Sequence, residues 1–324
     1  MLPYDVISII GNAKNAGKTT VLNALIESFK SMRIGLTSIG MDGEALDNVT
    51  SLPKPRIKVH PSFLVATAEG CLKAAEAEYS LIEKTSIRTP LGNIVIAQAK
   101  NTGNMLVAGP SKISEMELAI EKLKQAGCPK VLIDGAFSRQ SAAKLATGAV
   151  LVLGANRSPV METVIKDAKA LYERLTIAVI DERYLHLAES GLITALDGAG
   201  GKHVYDETST LMDPERLFAW IDPSWTHVYV PRSVGTAFFR VMLKDRTKRF
   251  VLIMNDPTSL QPEEHMLAHV ASFKHRLKVM RGINLIAVCL NPVSPRGYAF
   301  DEPAFHLALE QELGLPVFNV LKEA

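Results

Sequence analysis

The stretch that decides the fold is Gly11-Asn12-Ala13-Lys14-Asn15-Ala16-Gly17-Lys18-Thr19-Thr20. It fits the pattern G-x-x-x-x-G-K-[ST], the phosphate-binding loop or P-loop. In such a loop, successive backbone N–H groups surround phosphate oxygens, and the helix that follows adds the positive end of its dipole. The pattern predicts that these ten residues bind a nucleotide. It also predicts that Lys18 reaches the β- and γ-phosphates and that the Thr19 hydroxyl binds Mg²⁺.

The residues on either side of the loop favour this interpretation. Residues 5–10 are mostly β-branched and apolar, as in a buried parallel strand. After the loop, apolar residues recur at helical spacing, namely Val21, Leu22, Leu25, Ile26 and Phe29. The alternative is a glycine turn that only joins a strand to a helix. The order strand, loop, helix is the context that a phosphate-binding loop requires.

Two further acids follow predicted strands and are candidate metal ligands. Asp42 comes after the strand predicted over residues 34–40, and Asp134 ends the apolar run 131–133 in the manner of a Walker B strand. With Thr19, they would form the Mg²⁺ site, Asp42 either completing the metal shell or orienting water. Gly135 would let its N–H approach the γ-phosphate. Lys18, Asp42 and Asp134 are therefore the predicted catalytic residues, although Asp42-Gly43 is also a common turn pair.

Asn291-Pro292 follows another apolar strand, predicted over residues 283–290. A carboxamide can pair with the N6 and N7 edge of adenine, and ligands of α/β sheets bind at the carboxyl ends of strands. Asn291 and Pro292 are therefore candidates for binding the base. The alternative, an Asn-Pro turn that closes the strand, stays open.

Composition limits the classes of partner. The chain has 324 residues and a net charge of +2, so it offers no electrostatic case for nucleic acid or an anionic membrane. Its three cysteines are far apart and form no C-x-x-C pair, which is typical of a reducing compartment. No apolar run approaches the roughly 20 residues of a membrane span. A cytoplasmic location is expected.

Strands and helices alternate along the chain, which predicts an α/β fold. The expected architecture is a doubly wound, mostly parallel sheet in a three-layer α/β/α P-loop NTPase fold. Glycines at 198–201 mark a break between a nucleotide-binding domain, residues 1–197, and a C-terminal α/β part, residues 202–324. That part either completes the same sheet or forms a small second domain. A helix is predicted over 66–79 and a β-hairpin over 86–99.

The loop, with Lys14-Asn15 inside it and Asp42 after the second strand, resembles the SIMIBI class of P-loop NTPases. The sequence of the loop is similar to that of the molybdopterin-guanine dinucleotide accessory protein. The tail, residues 286–291 and 314–317, resembles the base-binding end of dethiobiotin synthetase. In that family a strand-end Asn contacts adenine and a later Gly-x-Pro segment closes the site, so the resemblance implies ATP and Mg²⁺ as cofactors.

Three short runs carry a narrower likeness: residues 37–44, 133–141 and 291–298. They are similar to an ATP-binding accessory protein of adenosylcobalamin-dependent lysine and ornithine aminomutases, which is thought to help reactivate those enzymes. The likeness implies a protein partner and places Ser294, Gly297 and Tyr298 on the nucleotide or partner surface.

Three functional hypotheses stay open at this point. The first is a Mg²⁺-dependent ATPase that serves a partner enzyme as an accessory or reactivating factor. The second is a small-molecule kinase or ATP-dependent ligase of the dethiobiotin synthetase type, with an acceptor pocket near loop 43–65 or the hairpin 86–99. The third is a nucleotide-gated binding module with negligible turnover. Many P-loop proteins complete their site across a dimer, so a homodimer is compatible with each of them.

Overall fold

The structure is a computed structural model that describes residues 3–13, 15–39, 57–135, 140–245, 247–261, 263, 266 and 273–322. The chain forms two compact units. Unit 1 comprises residues 1–164 and 284–324, and unit 2 comprises residues 165–283. Unit 2 is therefore inserted into the sequence of unit 1. Among the described residues, no helix combines the length and apolar character needed to cross a membrane.

The elements are numbered in chain order. The first part of the chain contains β1 (Val6–Gly11), α1 (Lys18–Ser28), β2 (Ile34–Ser38), β3 (Ile57–Val59), β4 (Leu64–Ala68), β5 (Tyr79–Thr89), β6 (Gly92–Ala99), β7 (Gly103–Met105), α2 (Ile113–Gln125), β8 (Lys130–Asp134), β9 (Gly148–Gly154) and α3 (Met161–Leu175). The middle part contains β10 (Ile193–Leu196), β11 (Lys202–Tyr205), α4 (Pro214–Trp220), β12 (His227–Val230), β13 (Val234–Gly235), α5 (Thr236–Lys244), β14 (Val251–Met254), β15 (Leu260–Gln261) and β16 (Leu277–Val279). The last part contains β17 (Leu285–Asn291), α6 (Glu302–Leu313) and β18 (Val317–Phe318).

Nine described strands form the main sheet of unit 1, in the order β18-β17-β9-β1-β8-β2-β4-β6-β5. The seven strands from β18 to β4 are parallel to one another, whereas β6 and β5 are antiparallel neighbours at one edge. All six residues of β1 are buried, as expected for a central strand that is covered on both faces. The predicted α/β class with a mostly parallel sheet is confirmed.

Helices cover both faces of this sheet. Leu132 packs in the same cluster as Leu22 and Ile26 of α1. Its neighbours Val131 and Ile133 pack with Met116 of α2 and the other buried residues of that helix. Since successive side chains of a strand point to opposite faces, α1 and α2 lie on opposite sides of the sheet. This arrangement is compatible with the predicted three layers.

Unit 2 has its own sheet and core. The larger sheet of unit 2 has five described strands in the order β11-β10-β12-β14-β16, with β12, β14 and β16 parallel and the β10–β11 hairpin antiparallel, and β13 and β15 form a separate parallel pair. Phe238, Phe239 and Phe250 are fully or almost fully buried in its main cluster. Buried aromatic side chains of this size provide much of the driving force for a small unit to fold.

The division of the chain differs from the one predicted at residues 198–201. That glycine-rich segment is the turn between β10 and β11, closed by an Asp197 N–H to Gly201 carbonyl bond of 3.0 Å. Residues 202–283 belong to unit 2, whereas β17 and β18 return to the sheet of unit 1. Residues 202–324, which the sequence predicted as one part, are thus divided between the two units. Hydropathy could not show this, because an apolar strand has the same pattern in either sheet.

The helix predicted over residues 66–79 is wrong. The chain there forms the end of β4, a short 3₁₀ helix over Glu69–Ala74 and the start of β5. Alanines at 66, 68, 74, 75 and 77 have high helix propensity, but pairing of β4 with β2 and β6 overrides it. The hairpin predicted over 86–99 is confirmed by β5 and β6.

Candidate functional site

The 11–17 loop leaves the carboxyl end of β1, near the middle of the main sheet. In the parallel register, Ile9 lies opposite Asp134 of β8, and Gly11 lies opposite Val152 of β9. β8 and β9 are successive strands of this sheet along the chain, yet they lie on either side of β1. Such a point, where the strand order reverses, opens a crevice at the carboxyl ends of the strands, and ligands of open α/β sheets bind there.

The loop turns into α1 through two residues in the left-handed region. Asn15 has φ 60° and Gly17 has φ 106°. Gly17 immediately precedes the helix, which begins at Lys18. Because Gly17 has no Cβ, it adopts this conformation without the steric cost that another residue would meet. The left-handed turn directs the chain from the loop straight into the first turn of α1.

Lys18 is half-buried and folds back along the loop. A Cβ added at Gly11 would lie 3.1 Å from its Cγ and Cδ atoms, so the aliphatic stem runs over that glycine. The Nζ atom donates a hydrogen bond of 3.2 Å to the carbonyl of Ala13. The ammonium group is therefore held within the curve of the loop.

Burial lowers the pKa of Lys18, and the negative charge of Asp134 acts in the opposite direction. The two side chains, from α1 and the neighbouring strand β8, are therefore within electrostatic reach of each other. The arrangement brings together the lysine and one of the acids that the sequence patterns predict.

Thr19 follows Lys18 on the first turn of α1 and is half-buried, whereas Thr20 is exposed. A hydroxyl and a carboxylate are oxygen ligands of the kind that Mg²⁺ takes, and this ion usually binds one or two carboxylates together with phosphate oxygens and water. Among the described residues, no group of three His, Cys, Asp or Glu side chains could hold a metal alone. Thr19 and Asp134 are the described residues with oxygen atoms of this kind that the sequence patterns proposed as ligands.

Gly135 packs tightly against β1. Its N–H donates to the Ile9 carbonyl at 3.0 Å, and an added Cβ would lie 2.5 Å from that same oxygen. This bond uses the N–H group that was expected to approach a phosphate. Gly135 therefore contributes close packing of two strand ends at the site.

Asn12 fastens the loop to the end of β9. Its backbone N–H donates to the Val152 carbonyl at 3.0 Å, and its Oδ1 accepts from the Gly154 N–H at 3.2 Å. Gly154 also lies close to the loop, since an added Cβ would be 3.0 Å from the Ala16 Cα atom. Sequence reasoning missed Gly154, although its place at the end of an apolar strand is the same signal that drew attention to Asn291.

Asn291 ends β17 and lies opposite Gly154 in the register. A Cβ added at Gly17 would lie 3.4 Å from its Nδ2 atom, so the carboxamide rests against the end of the loop. Its Oδ1 accepts from the Val293 N–H at 3.1 Å. Asn291 thus begins a turn, as one alternative predicted, and its carboxamide also lies beside the end of the loop. Its predicted contact with adenine stays a prediction.

The segment after Asn291 is an ordered hairpin. The buried Pro292 accepts from the Phe300 N–H at 2.9 Å, and Ser294 donates its N–H to the Tyr298 carbonyl at 2.9 Å. Gly297 has φ 87° at the tip. The Tyr298 hydroxyl donates to the Ala155 carbonyl at 2.8 Å, just past β9. The bond from Tyr298 therefore joins the hairpin that contains Ser294 and Gly297 to the end of β9, the strand next to β1.

Two predicted site residues, Lys14 and Asp42, lie outside the described residues. No protein-family model, curated protein or solved structure matches the chain. The resemblances named for the sequence therefore remain expectations.

Proposed function

We propose that this chain is a Mg²⁺-dependent ATP-binding protein with ATPase activity and that its 11–20 segment is a P-loop. The observation that carries the proposal is the placement of the 11–17 loop and Asp134 at the carboxyl ends of the adjacent parallel strands β1 and β8, where the strand order reverses. Lys18, just after the loop, is within electrostatic reach of Asp134. A lysine on a glycine-rich loop and an acid on the next strand are the two charges that phosphoryl transfer requires of its protein.

In this proposal Lys18 and the loop N–H groups hold the phosphates. The lysine exchanges its bond to the Ala13 carbonyl for a phosphate oxygen. Thr19 and Asp134 hold Mg²⁺, which neutralises charge on the phosphates when bound. The charge of Asp134 raises the pKa of Lys18 and so opposes the larger effect of burial, which lowers it. Asn291, next to Gly17, supplies a carboxamide for the adenine base.

What the proposed ATPase activity serves is a separate question. Service to a partner enzyme, including a cobalamin-dependent aminomutase, is supported by the sequence resemblance alone. The kinase or ligase alternative needs an acceptor pocket beside the γ-phosphate. The β5–β6 hairpin is a poor candidate because β6 is the fourth strand from β1, roughly 19 Å away at the usual strand spacing.

The test is binding and hydrolysis of Mg-ATP by the purified chain, with Lys18→Ala and the exposed Lys73→Ala as a matched pair. We expect the wild type and Lys73→Ala to bind alike. Lys18→Ala should bind at least about tenfold more weakly, because a charged hydrogen bond contributes about 1.5–3 kcal/mol. Failure of the wild type to bind Mg-ATP would refute the proposal.

Turnover separates the functional classes. Hydrolysis by the chain alone that is lost in Lys18→Ala supports an ATPase. Binding with negligible hydrolysis supports the nucleotide-gated module instead. ADP formation only when a small-molecule acceptor is present supports the kinase or ligase.

A further inference from the structure

Both tryptophans of the chain, Trp220 and Trp225, lie in one aromatic row of unit 2. His203 stacks on Trp225 with ring centroids 4.5 Å apart and planes 18° from parallel. Trp225 meets Trp220 at 4.7 Å, and Trp220 meets Tyr205 at 5.0 Å. His203 and Tyr205 come from the edge strand β11, whereas the tryptophans come from the end of α4 and the turn that follows. The row thus joins the β10–β11 hairpin to another part of unit 2.

His203 also contacts a fixed carboxylate. Its Nε2 atom lies 3.0 Å from Oδ2 of Asp197, and their side chains are 41% and 25% exposed. The other oxygen, Oδ1, accepts from the N–H groups of Ala199 at 2.9 Å and Gly201 at 2.8 Å. These bonds lower the pKa of Asp197, the bond from His203 most of all. The carboxylate is therefore charged and held in place by the turn.

The charges that face His203 are mainly negative. Besides Asp197, Asp222 is within electrostatic reach, and Ser224 fixes it through bonds of 2.8 Å from N–H and 2.6 Å from the hydroxyl. Lys248, which also acts on Asp222, donates its Nζ to the carbonyl of Phe218 at 2.5 Å. Lys202, next to His203 in sequence, pairs with Glu189 at 3.3 Å.

We propose that His203 is a proton-operated clasp that fastens the β10–β11 hairpin to the turn bearing Trp225. A protonated imidazole forms an ion pair with Asp197 and a cation–π contact with the indole. A neutral ring keeps only a neutral hydrogen bond and ring stacking. The clasp is therefore tight while the imidazole is protonated and loosens as rising pH removes that proton. β11 depends on it because its only sheet neighbour among the described strands is β10.

Tryptophan fluorescence of the full chain tests the clasp, because both tryptophans belong to the row and a protonated imidazole in contact with an indole quenches its emission. We expect emission to rise with pH in the wild type and not in His203→Gln. Asp197→Asn keeps the turn bonds through its Oδ1 but removes the charge, so its transition should move to lower pH. His227→Gln, which removes another histidine of unit 2, should leave the transition unchanged.

Hydrogen exchange supplies a second readout that does not depend on the fluorophores. Protection of the β11 amides, relative to those of β14, should fall roughly two- to fivefold between pH 5.5 and 8 in the wild type, as loss of a cation–π contact predicts. Asp197→Asn should show a smaller fall. A fluorescence transition that persists in His203→Gln, or an unmoved transition in Asp197→Asn, would overturn the clasp. Equal β11 protection at both pH values in the wild type would also overturn it.

Discussion

Two glycines show how single positions hold the candidate site together. Gly17, with φ 106°, turns the loop into α1, and the carboxamide of Asn291 fills the space beside it. Gly135 lets the end of β8 approach the Ile9 carbonyl of β1. A side chain at Gly135 would occupy space that the backbone of β1 already fills, whereas a side chain at Gly17 would meet the strain of a positive φ.

Gly135→Ala is expected to lower the free energy of unfolding of unit 1 by about 1–3 kcal/mol, the usual cost of overpacking. The added methyl would lie 2.5 Å from backbone oxygen, which has little room to move. The matched control is Gly198→Ala, where the nearest atom is 3.9 Å away. Urea unfolding of both variants measures the difference, and equal stabilities would contradict the packing described for Gly135.

The contacts of Glu27, on the last turn of α1, predict that the free energy of unfolding depends on pH. Its Oε1 accepts from Lys58 at 2.8 Å and His60 at 2.9 Å, and these bonds lower its pKa from 4.5 to about 2. A lowered pKa in the folded state means that the carboxylate adds stability above its ordinary value and loses that contribution as the pH falls through about 2. Glu27→Gln should therefore be less stable than wild type at pH 7.

The difference between wild type and Glu27→Gln should shrink progressively as the pH falls below 4.5. Urea unfolding at a series of pH values measures it, with the exposed Glu121→Gln as the control. A difference that stays constant from pH 7 to pH 2 would show that the variant acts through packing and not through the charge of Glu27.

At the scale of elements, the two edge strands of the main sheet, β18 and β5, differ in length and regularity. β18, at one end, has only two residues. β5, at the other, has eleven residues but departs from regular pairing with β6 between Leu81 and Glu83 and again between Lys84 and Arg88. A short edge and an irregular edge both discourage pairing with a strand of another molecule. This matters for β5 because Leu81 and Ile82 are exposed.

The hairpin after β17 gives an element-scale prediction. Tyr298 donates its hydroxyl to the Ala155 carbonyl at 2.8 Å, which ties the hairpin to the segment after β9. Tyr298→Phe should destabilise unit 1 by about 0.5–1.5 kcal/mol, the net value of one hydrogen bond. It should also speed hydrogen exchange at residues 293–300. The exposed Tyr79→Phe is the control, and unchanged exchange in Tyr298→Phe would show that the tie does not order the hairpin.

At the scale of the whole molecule, each unit has a core of its own. Phe63 is fully buried in unit 1 and Phe238 in unit 2. Both tryptophans belong to unit 2, so their fluorescence follows that unit alone, whereas circular dichroism follows both. A chain with two separate cores can unfold in two steps.

Phe238→Ala should therefore lower the urea midpoint of the fluorescence transition, since such a truncation costs about 3–5 kcal/mol. Phe63→Ala, with a cost of the same order, should lower the urea midpoint of unit 1. That change should be visible by circular dichroism and leave the fluorescence midpoint of unit 2 unchanged. If both variants shift a single transition equally, the two units unfold as one.

The sequence by itself determined the features that depend on neighbours along the chain. The strand–loop–helix order around Lys18 follows from a β-branched run, a glycine-rich turn and helical periodicity within one short stretch. The α/β class follows from alternation, and the β5–β6 hairpin follows from its turn residues. Local patterns also marked Asp134 and Asn291 as strand-end residues.

Only the tertiary structure decided which strands lie side by side. It placed β8 and β9 on either side of β1, returned β17 to the first sheet and put residues 165–283 into a unit of their own. It also replaced the expected helix at 66–79 with β4, a 3₁₀ turn and β5. The physical reason is that pairing between strands distant in sequence depends on how whole faces pack, and an apolar strand carries no local mark of its partner. For the same reason, the contact between Asn291 and the loop at Gly17 could be found only after the chain had folded.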